Sequence, residues 1–290
     1  MIGTCGPSVI DGDQPAAIPS RPWAEVPAQS LAGLRGVMTD IDDTLTAAGR
    51  LDPPAARALR ALGEAGVPVV AITGRPLGWS RTLLQTEPAA ATLRAVVAEN
   101  GAVALLASED GVHVEYAQDA ATREHHTRRL RQVLARIVAE VPGAVAARDS
   151  AGRVTDIAID HSEFTHLPGA AIARVVALMQ AEGMQATVSS IHINGWFGEH
   201  DKVSGAAWMV QRLFGRRLDD ELADWVYVGD STNDQALFGR FPLSVGVANV
   251  LNFRAQLHTW PAWITQGERG LGFAEVAAAV LAARRPAAAA

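Results

Sequence analysis

The sequence predicts an α/β protein, a doubly wound parallel sheet that carries an inserted α+β unit. Three observations lead there. Short apolar runs alternate with amphipathic stretches of helical length before about residue 112 and again after about residue 196, the pattern of strands joined by crossover helices. Between those positions the order changes to helix, two strands, helix, two strands, which describes a separate small sheet with its own helices. Polar clusters fall at the C-terminal ends of the apolar runs, where open α/β sheets bind their ligands: DIDDT at 40–44, TGR at 73–75 and GDSTND at 229–234, with Lys202 opening a helix nearby in the pattern.

Each element has its own signal. Gly36–Thr39 is a short apolar strand, and Asp52 followed by Pro53 reads as an N-cap and first turn for a helix that ends near Gly66. VPVVAIT is a buried strand, the next helix carries Trp79, Leu83 and Leu84, and RAVVAEN is a third strand. GAVALLASEDGVHVEYA reads as two strands around an Asp-Gly turn. Residues 119–140 place Leu130, Val133, Leu134, Ile137 and Val138 at helical spacing. Two strands around Gly152, a helix from about Pro168 to Glu182, and the strands QATVSS and IHING complete the insert. A helix from Lys202 to Phe214, the strand WVYVGD, a short helix after Asn233, the strand LSVGV and a final Ala-rich helix restore the alternation. The expected division is therefore a discontinuous core of 34–111 and 197–283, a cap of 112–196, a poorly ordered segment of 1–33 and a flexible tail of 284–290.

Composition excludes several function classes. With 49% hydrophobic residues the 290-residue chain supplies a full core, and 31 acidic against 25 basic residues leave a net charge of -6 with no run of Lys and Arg. Nucleic acid and anionic membrane surfaces are not expected partners. No apolar run reaches the roughly 18 residues of a membrane span, and the N-terminus lacks the basic start and apolar stretch of a signal peptide. Cys5 is the only cysteine, which rules out an intramolecular disulfide and a thiolate metal site, and a cytoplasmic setting is expected. Lys202 is the only lysine in the chain, every other basic position being Arg.

The polar clusters suggest a chemistry. Asp40 and Asp42 lie two apart, so an extended backbone turns both carboxylates to one face, where one can attack while the other handles a proton. A phosphate monoester repels an anionic nucleophile, so a carboxylate attacker requires a divalent cation between them. Asp230 with Asn233 or Asp234 adds oxygen ligands of the type Mg²⁺ prefers. Thr73 offers a hydroxyl and Gly74 an unobstructed N–H at a turn entering a helix, a favoured place for phosphate oxygens. Lys202 supplies a compact positive charge for the transferring group. Arg75 has two readings, an anion-binding group or the partner of an acidic neighbour. Asn194 likewise has two, since His192, Asn194 and Trp196 share a strand face that either packs the insert's sheet or contacts substrate.

In order and placement these residues resemble the haloacid dehalogenase-like (HAD) superfamily, whose motifs appear as Asp40-Ile41-Asp42-Asp43-Thr44, Thr73, Lys202, and Gly229-Asp230 with Asn233-Asp234. The insert after TGRP and the turn Glu99-Asn100-Gly101-Ala102 look like the type IIB branch, which includes Cof-like, sucrose-phosphate and mannosyl-phosphoglycerate phosphatases. The resemblance covers about residues 36–282. It implies a Rossmann-like core with an α+β cap and a magnesium-dependent phosphatase acting on a small sugar or polyol phosphate. It further implies an aspartyl-phosphate on Asp40, proton transfer by Asp42, and Mg²⁺ held by Asp40, Asp230 and the Asp42 carbonyl. Asp43 stands where the family frequently has Gly. A phosphomutase shares this machinery, and a non-catalytic module sharing the fold is the remaining alternative.

Overall fold

A computed structural model describes residues 18–108 and 111–284. Cys5, Asp110 of the expected hairpin turn, residues 1–17 and the tail after Arg284 lie outside the described residues. The described part opens with β1 (Arg21–Pro22) and α1 (Ala28–Ala32), in a segment expected from composition to lack order. Trp23 and Leu31 are the reason it does not: both are buried against the C-terminal helix, and Trp23 meets Trp263 edge-to-face. Two well-separated apolar side chains show no periodicity in a sequence, yet each fully buried one contributes about 1.5–3 kcal/mol.

The large sheet then builds in order. β2 (Gly36–Thr39) leads through a two-stranded ribbon, β3 (Thr46–Ala47) and β4 (Arg50–Leu51), to α2 (Pro53–Glu64), β5 (Val69–Ile72), α3 (Leu77–Thr86) and β6 (Ala95–Ala98). β7 (Val103–Ser108) and β8 (Gly111–Tyr116) form the expected hairpin. Asp52 precedes α2 but makes no capping hydrogen bond, its side chain being pressed against Gly270 instead.

The insert holds α4 (Ala120–Glu140), β9 (Val145–Ala146), β10 (Asp156–Asp160), α5 (Gly169–Ala181), β11 (Gln185–Val188) and β12 (His192–Trp196). The chain returns through α6 (Lys202–Phe214), β13 (Trp225–Gly229), α7 (Gln235–Arg240), β14 (Leu243–Gly246), β15 (Trp263–Ile264) and α8 (Arg269–Arg284).

Strand order in the large sheet is β1-β15-β14-β13-β2-β5-β6-β7-β8, parallel except for β7 and β8. Because β8 belongs to this sheet, the chain crosses into the insert at about residue 117 and not at 112. The two hairpin strands bond each other along their whole length, so the second cannot leave with the insert. Side chains alternate across the sheet at period two: Val37, Val69 and Val226 pack beneath α2 and α8, while Met38, Val70 and Tyr227 pack against α6 and α7. The insert's sheet, β11-β12-β10-β9, closes its own apolar cluster with α4 and α5 around Ile137, Ile159 and Met179. Among the described residues no helix is long and apolar enough to cross a membrane.

Candidate active site

β13, β2 and β5 are neighbours, and their C-terminal ends deliver Asp230, Asp40 and Thr73 to one edge of the sheet. The Asp40 amide donates to the Val228 carbonyl at 2.8 Å, so the ladder fixes the backbone at the point where the Asp40 side chain projects. Lys202 arrives from the opposite side. Asp201 caps α6 in a reciprocal bond with Ser204, which makes Lys202 the first helical residue and directs it back under the sheet edge.

The Lys202 ammonium donates to Asp40 Oδ1 at 2.5 Å and to Asp234 Oδ1 at 2.8 Å. Burial alone would lower the Lys202 ammonium, but Asp234 and Asp40 outweigh it and hold it above its usual range. Asp234 is saturated. Its Oδ1 also accepts from the Tyr227 hydroxyl at 2.5 Å, and its Oδ2 accepts the amides of Asp230 and Ser231 at 2.9 and 3.1 Å. Only a glycine at 229 allows this fold-back, since a Cβ there would lie 2.6 Å from the Asp234 carboxyl carbon.

Asp230 is the opposite case. Its Oδ2 accepts from Asn249 at 3.2 Å, while its Oδ1 is buried with no partner. Oxygens of Asp40, Asp230 and Asp234 lie within 4.8 Å of one another. Burial pushes Asp40 up to about 8 against the pull of Lys202, and burial together with Asp234 and Asp40 raises Asp230 well above the usual carboxylate range. Crowded, dehydrated carboxylates with a bare oxygen form a hard, all-oxygen donor set, which fits Mg²⁺. All four hydrogen-bonding positions of Asp234 are occupied in the cluster, by Lys202, Tyr227 and the Asp230 and Ser231 amides, which leaves Asp40 and Asp230 as the carboxylates with room to ligate an ion directly. Asn233, expected to supply an oxygen, lines the cavity with its Oδ1 accepting from Ser231 at 3.0 Å.

Asp42 belongs to a second network. Arg75 Nε donates to both its oxygens at 2.9 and 3.0 Å, and the same guanidinium donates to Asp149 and Glu163 of the insert at 3.2 and 2.7 Å. Of the two readings of Arg75, the acidic partners are the ones present. Burial raises Asp42 despite Arg75, whereas His192 and Arg75 overcome burial at Glu163 and hold it down at about 2. Glu163 accepts from His192 Nε2 at 2.9 Å, which fixes that ring.

Thr73 is fully buried; its hydroxyl oxygen accepts from the Arg75 amide at 3.0 Å. The carbonyl of Gly74 is held by two donors from the insert, Arg153 at 2.9 Å and Asn194 at 3.3 Å, and Asn194 also bonds Asp156. Asn194 thus fixes the Gly74 turn while it lines the cavity. That cavity, over Asp40 and Asp42, is roofed by Ser189–His192 of the insert and has about 10 Å³ of space for a water-sized sphere.

A family model described as haloacid dehalogenase-like hydrolase matches residues 37–139. No curated protein matches the sequence. Among solved structures, a HAD/COF-like hydrolase from Plasmodium vivax superposes with a TM-score of 0.64 at 14% identity, covering 88% of this chain and 98% of that one. The sucrose-phosphatase from Synechocystis sp. PCC6803, solved with sucrose and phosphate, gives a TM-score of 0.61 at 16% identity over 85% of this chain and 98% of that one. A sugar phosphatase of HAD subclass IIB gives 0.54 at 14% identity over 84% and 96% of the two chains. The chain thus matches the haloacid dehalogenase-like hydrolase model over residues 37–139 and shares its fold with these structures.

Sequence reasoning missed several residues around this centre. Asn249 bridges Asp230 and the Asp43 carbonyl, and Arg269 pairs with the Asp43 carboxylate at 2.9 Å. Asp43 adopts a left-handed φ of 51°, which explains why glycine suits the position and why Asp, among the residues more tolerant of it, is accepted with Arg269 as partner. Glu99 is completely buried and accepts from the amides of Leu77, Val154 and Thr155, so one carboxylate caps α3 and ties the insert to the core. The Glu99-Asn100-Gly101 run was a signal for this turn, although it carried no hint of the insert partners.

Proposed function

We propose that the protein hydrolyses phosphate monoesters of small hydroxylated molecules, with Asp40 as nucleophile and Mg²⁺ as cofactor. The observation that carries the reading is the buried cluster in which one ammonium, Lys202, joins Asp40 to Asp234 while Asp230 keeps an unpartnered oxygen. Asp40, Asp230 and the Asp42 carbonyl are the residues that would hold the ion, which when bound neutralises phosphoryl charge and lets an anion approach an anion.

In the proposed reaction an Asp40 oxygen attacks phosphorus and the bond to the ester oxygen breaks. Asp42 delivers its proton to that leaving oxygen. Burial favours the protonated form of Asp42 and Arg75 fixes its direction, both of which serve a general acid. Asp42 then takes a proton from water as the water attacks the acyl phosphate, which returns Asp40 and releases inorganic phosphate. Lys202 balances charge on the transferring group, and the Thr73 hydroxyl with the Gly74 amide faces its oxygens. The space over Asp40 holds about one water-sized sphere, so admission of a phosphoryl group requires the insert to lift from the core, and closure afterwards excludes bulk water.

The test is release of inorganic phosphate by the purified protein with Mg²⁺ from a panel of sugar, polyol and nucleotide monophosphates, alongside Asp40→Asn. Turnover by the wild type alone supports the proposal. No turnover on the whole panel, or equal turnover by the variant, would end it.

A further inference from the structure

We infer that two carboxylates of the insert, Glu163 and Asp149, are positioning residues for proton transfer by Asp42, and that they act on it through the Arg75 guanidinium. Resting on the phosphatase reading above, this gives the insert a part in the chemical step itself. Arg75 is 3% exposed, and each nitrogen of its head is engaged. Nε bonds both oxygens of Asp42, Nη1 bonds Asp149 at 3.2 Å and Nη2 bonds Glu163 at 2.7 Å. The guanidinium carbon lies 4.8 Å from the centroid of the Trp79 ring. A planar guanidinium moves as one body, so holding two of its nitrogens fixes the direction of the third. Asp42 follows β2 in the core, whereas Asp149 follows β9 and Glu163 follows β10, both in the insert. The insert therefore sets the line along which Nε–H meets Asp42.

Both insert carboxylates are held in turn. Glu163 accepts from His192 Nε2 at 2.9 Å, and its amide donates to Asp160 at 2.9 Å. Asp149 accepts from Arg153 Nε and Nη2 at 3.2 and 3.1 Å, and Arg153 is anchored on Asp156 at 2.9 Å. Arg75 is thus fixed by groups with little freedom of their own.

Hydrogen-bond chemistry gives this arrangement its consequence. A guanidinium donates and has no lone pair to accept, so a proton on Asp42 cannot point at Arg75. It is turned instead toward the cavity over Asp40, which Asp42 lines. As the bond from phosphorus to the ester oxygen breaks, that proton passes to the ester oxygen, and Asp42 is left as a carboxylate beside the Arg75 cation. Such a transfer needs heavy atoms about 2.6–3.2 Å apart. A displacement of about 1 Å can cost about 100-fold, so freeing one end of Arg75 is enough to matter. An insert lifted from the core takes Asp149 and Glu163 away from Arg75, and Asp42 is aimed only when the insert is docked.

The experiment measures kcat/KM, which covers the steps through departure of the phenol, with Mg²⁺ and a series of phenyl phosphates that differ only in ring substituent. The series varies leaving-group acidity at nearly constant size. Proton delivery makes the rate insensitive to that acidity, and its loss makes the dependence steep. Glu163→Gln should lower kcat/KM for the least acidic phenol at least about tenfold more than for the most acidic one, with Asp149→Asn acting in the same sense. Glu99→Gln breaks a tether between insert and core without touching the guanidinium, and should lower kcat/KM by one common factor along the series. A uniform loss along the series in Glu163→Gln and Asp149→Asn, or a dependence as steep in Glu99→Gln, overturns the positioning role while leaving the phosphatase reading standing. Absence of phosphate release from every ester by the wild type overturns both.

Discussion

Asp40→Asn should do two things at once: abolish phosphate release and stabilise the metal-free protein at alkaline pH. Asp40 is 4% exposed and faces Asp234 and Asp42 as well as Lys202. Burial raises its carboxyl from 3.8 to about 8, so the folded chain keeps a proton that the unfolded chain gives up. With more protons bound in the folded state, stability falls as pH rises through that interval and is greatest below it. At about 1.36 kcal/mol per unit the displacement amounts to roughly 5–6 kcal/mol, of which the amide returns part by giving up the ion pair with Lys202. The expected net gain is about 1–3 kcal/mol at pH 8.5 in chelator, shrinking toward zero near pH 4.5. Urea unfolding of both proteins at the two pH values measures it. Magnesium should remove the difference by stabilising only the wild type. Equal or lower stability of Asp40→Asn at pH 8.5 in chelator would refute the electrostatic reasoning.

Further expectations follow from the same contacts. Lys202→Met removes the cation shared by Asp40 and Asp234 and should cost at least about 100-fold in kcat, read from steady-state phosphate release; a loss under tenfold contradicts the role given to Lys202. Glu99→Gln turns an amide NH₂ group toward backbone N–H donors of α3 and the insert, and should destabilise by about 2–4 kcal/mol in urea; a change below about 0.5 kcal/mol would show the tether to be dispensable. Glu163 titrates at about 2 in the fold against 4.5 ordinarily, so its contribution is present above pH 4.5 and disappears as pH falls toward 2. Glu163→Gln should therefore be less stable by about 1–3 kcal/mol at pH 6, with the difference shrinking below about 1 kcal/mol as pH falls through 2.5 and vanishing only below about pH 2. Chelation should stop turnover while far-UV circular dichroism stays unchanged, because the ion would sit among polar loop residues and not in the apolar core; loss of secondary structure on chelation argues otherwise.

How much of this was legible depends on whether a residue's partners are local. Asp40 and Asp42 are two apart on a strand end, and Lys202 stands out as the only lysine, so both could be found without coordinates. Their meeting follows from strand adjacency, which the βαβ pattern already implies. Glu163, Asp149 and Arg153 could not be found in this way. They sit in turns of the insert, and their partners Arg75 and Gly74 lie 74 to 88 residues earlier in the chain. Asn249 and Arg269 reach the site from loops that have no periodicity. Arg75 was ambiguous because a guanidinium suits a phosphate and a carboxylate equally well, and only the surrounding acids decide. The stretch from residue 18 to 33 was misread because residues 1 to about 33 are rich in Pro, Gly, Asp and Ala and show no periodicity, whereas two buried side chains, Trp23 and Leu31, anchor it.

The most direct test of the central claim is chemical trapping of the covalent intermediate. Borohydride reduces an acyl phosphate to an alcohol, so the protein is turned over with a hexose phosphate and Mg²⁺, quenched into borohydride, digested and mapped by mass spectrometry. The account predicts conversion of Asp40 to homoserine, dependent on both substrate and metal and absent in Asp40→Asn. Modification at another carboxylate, or continued phosphate release with Asp40 never modified, would contradict it.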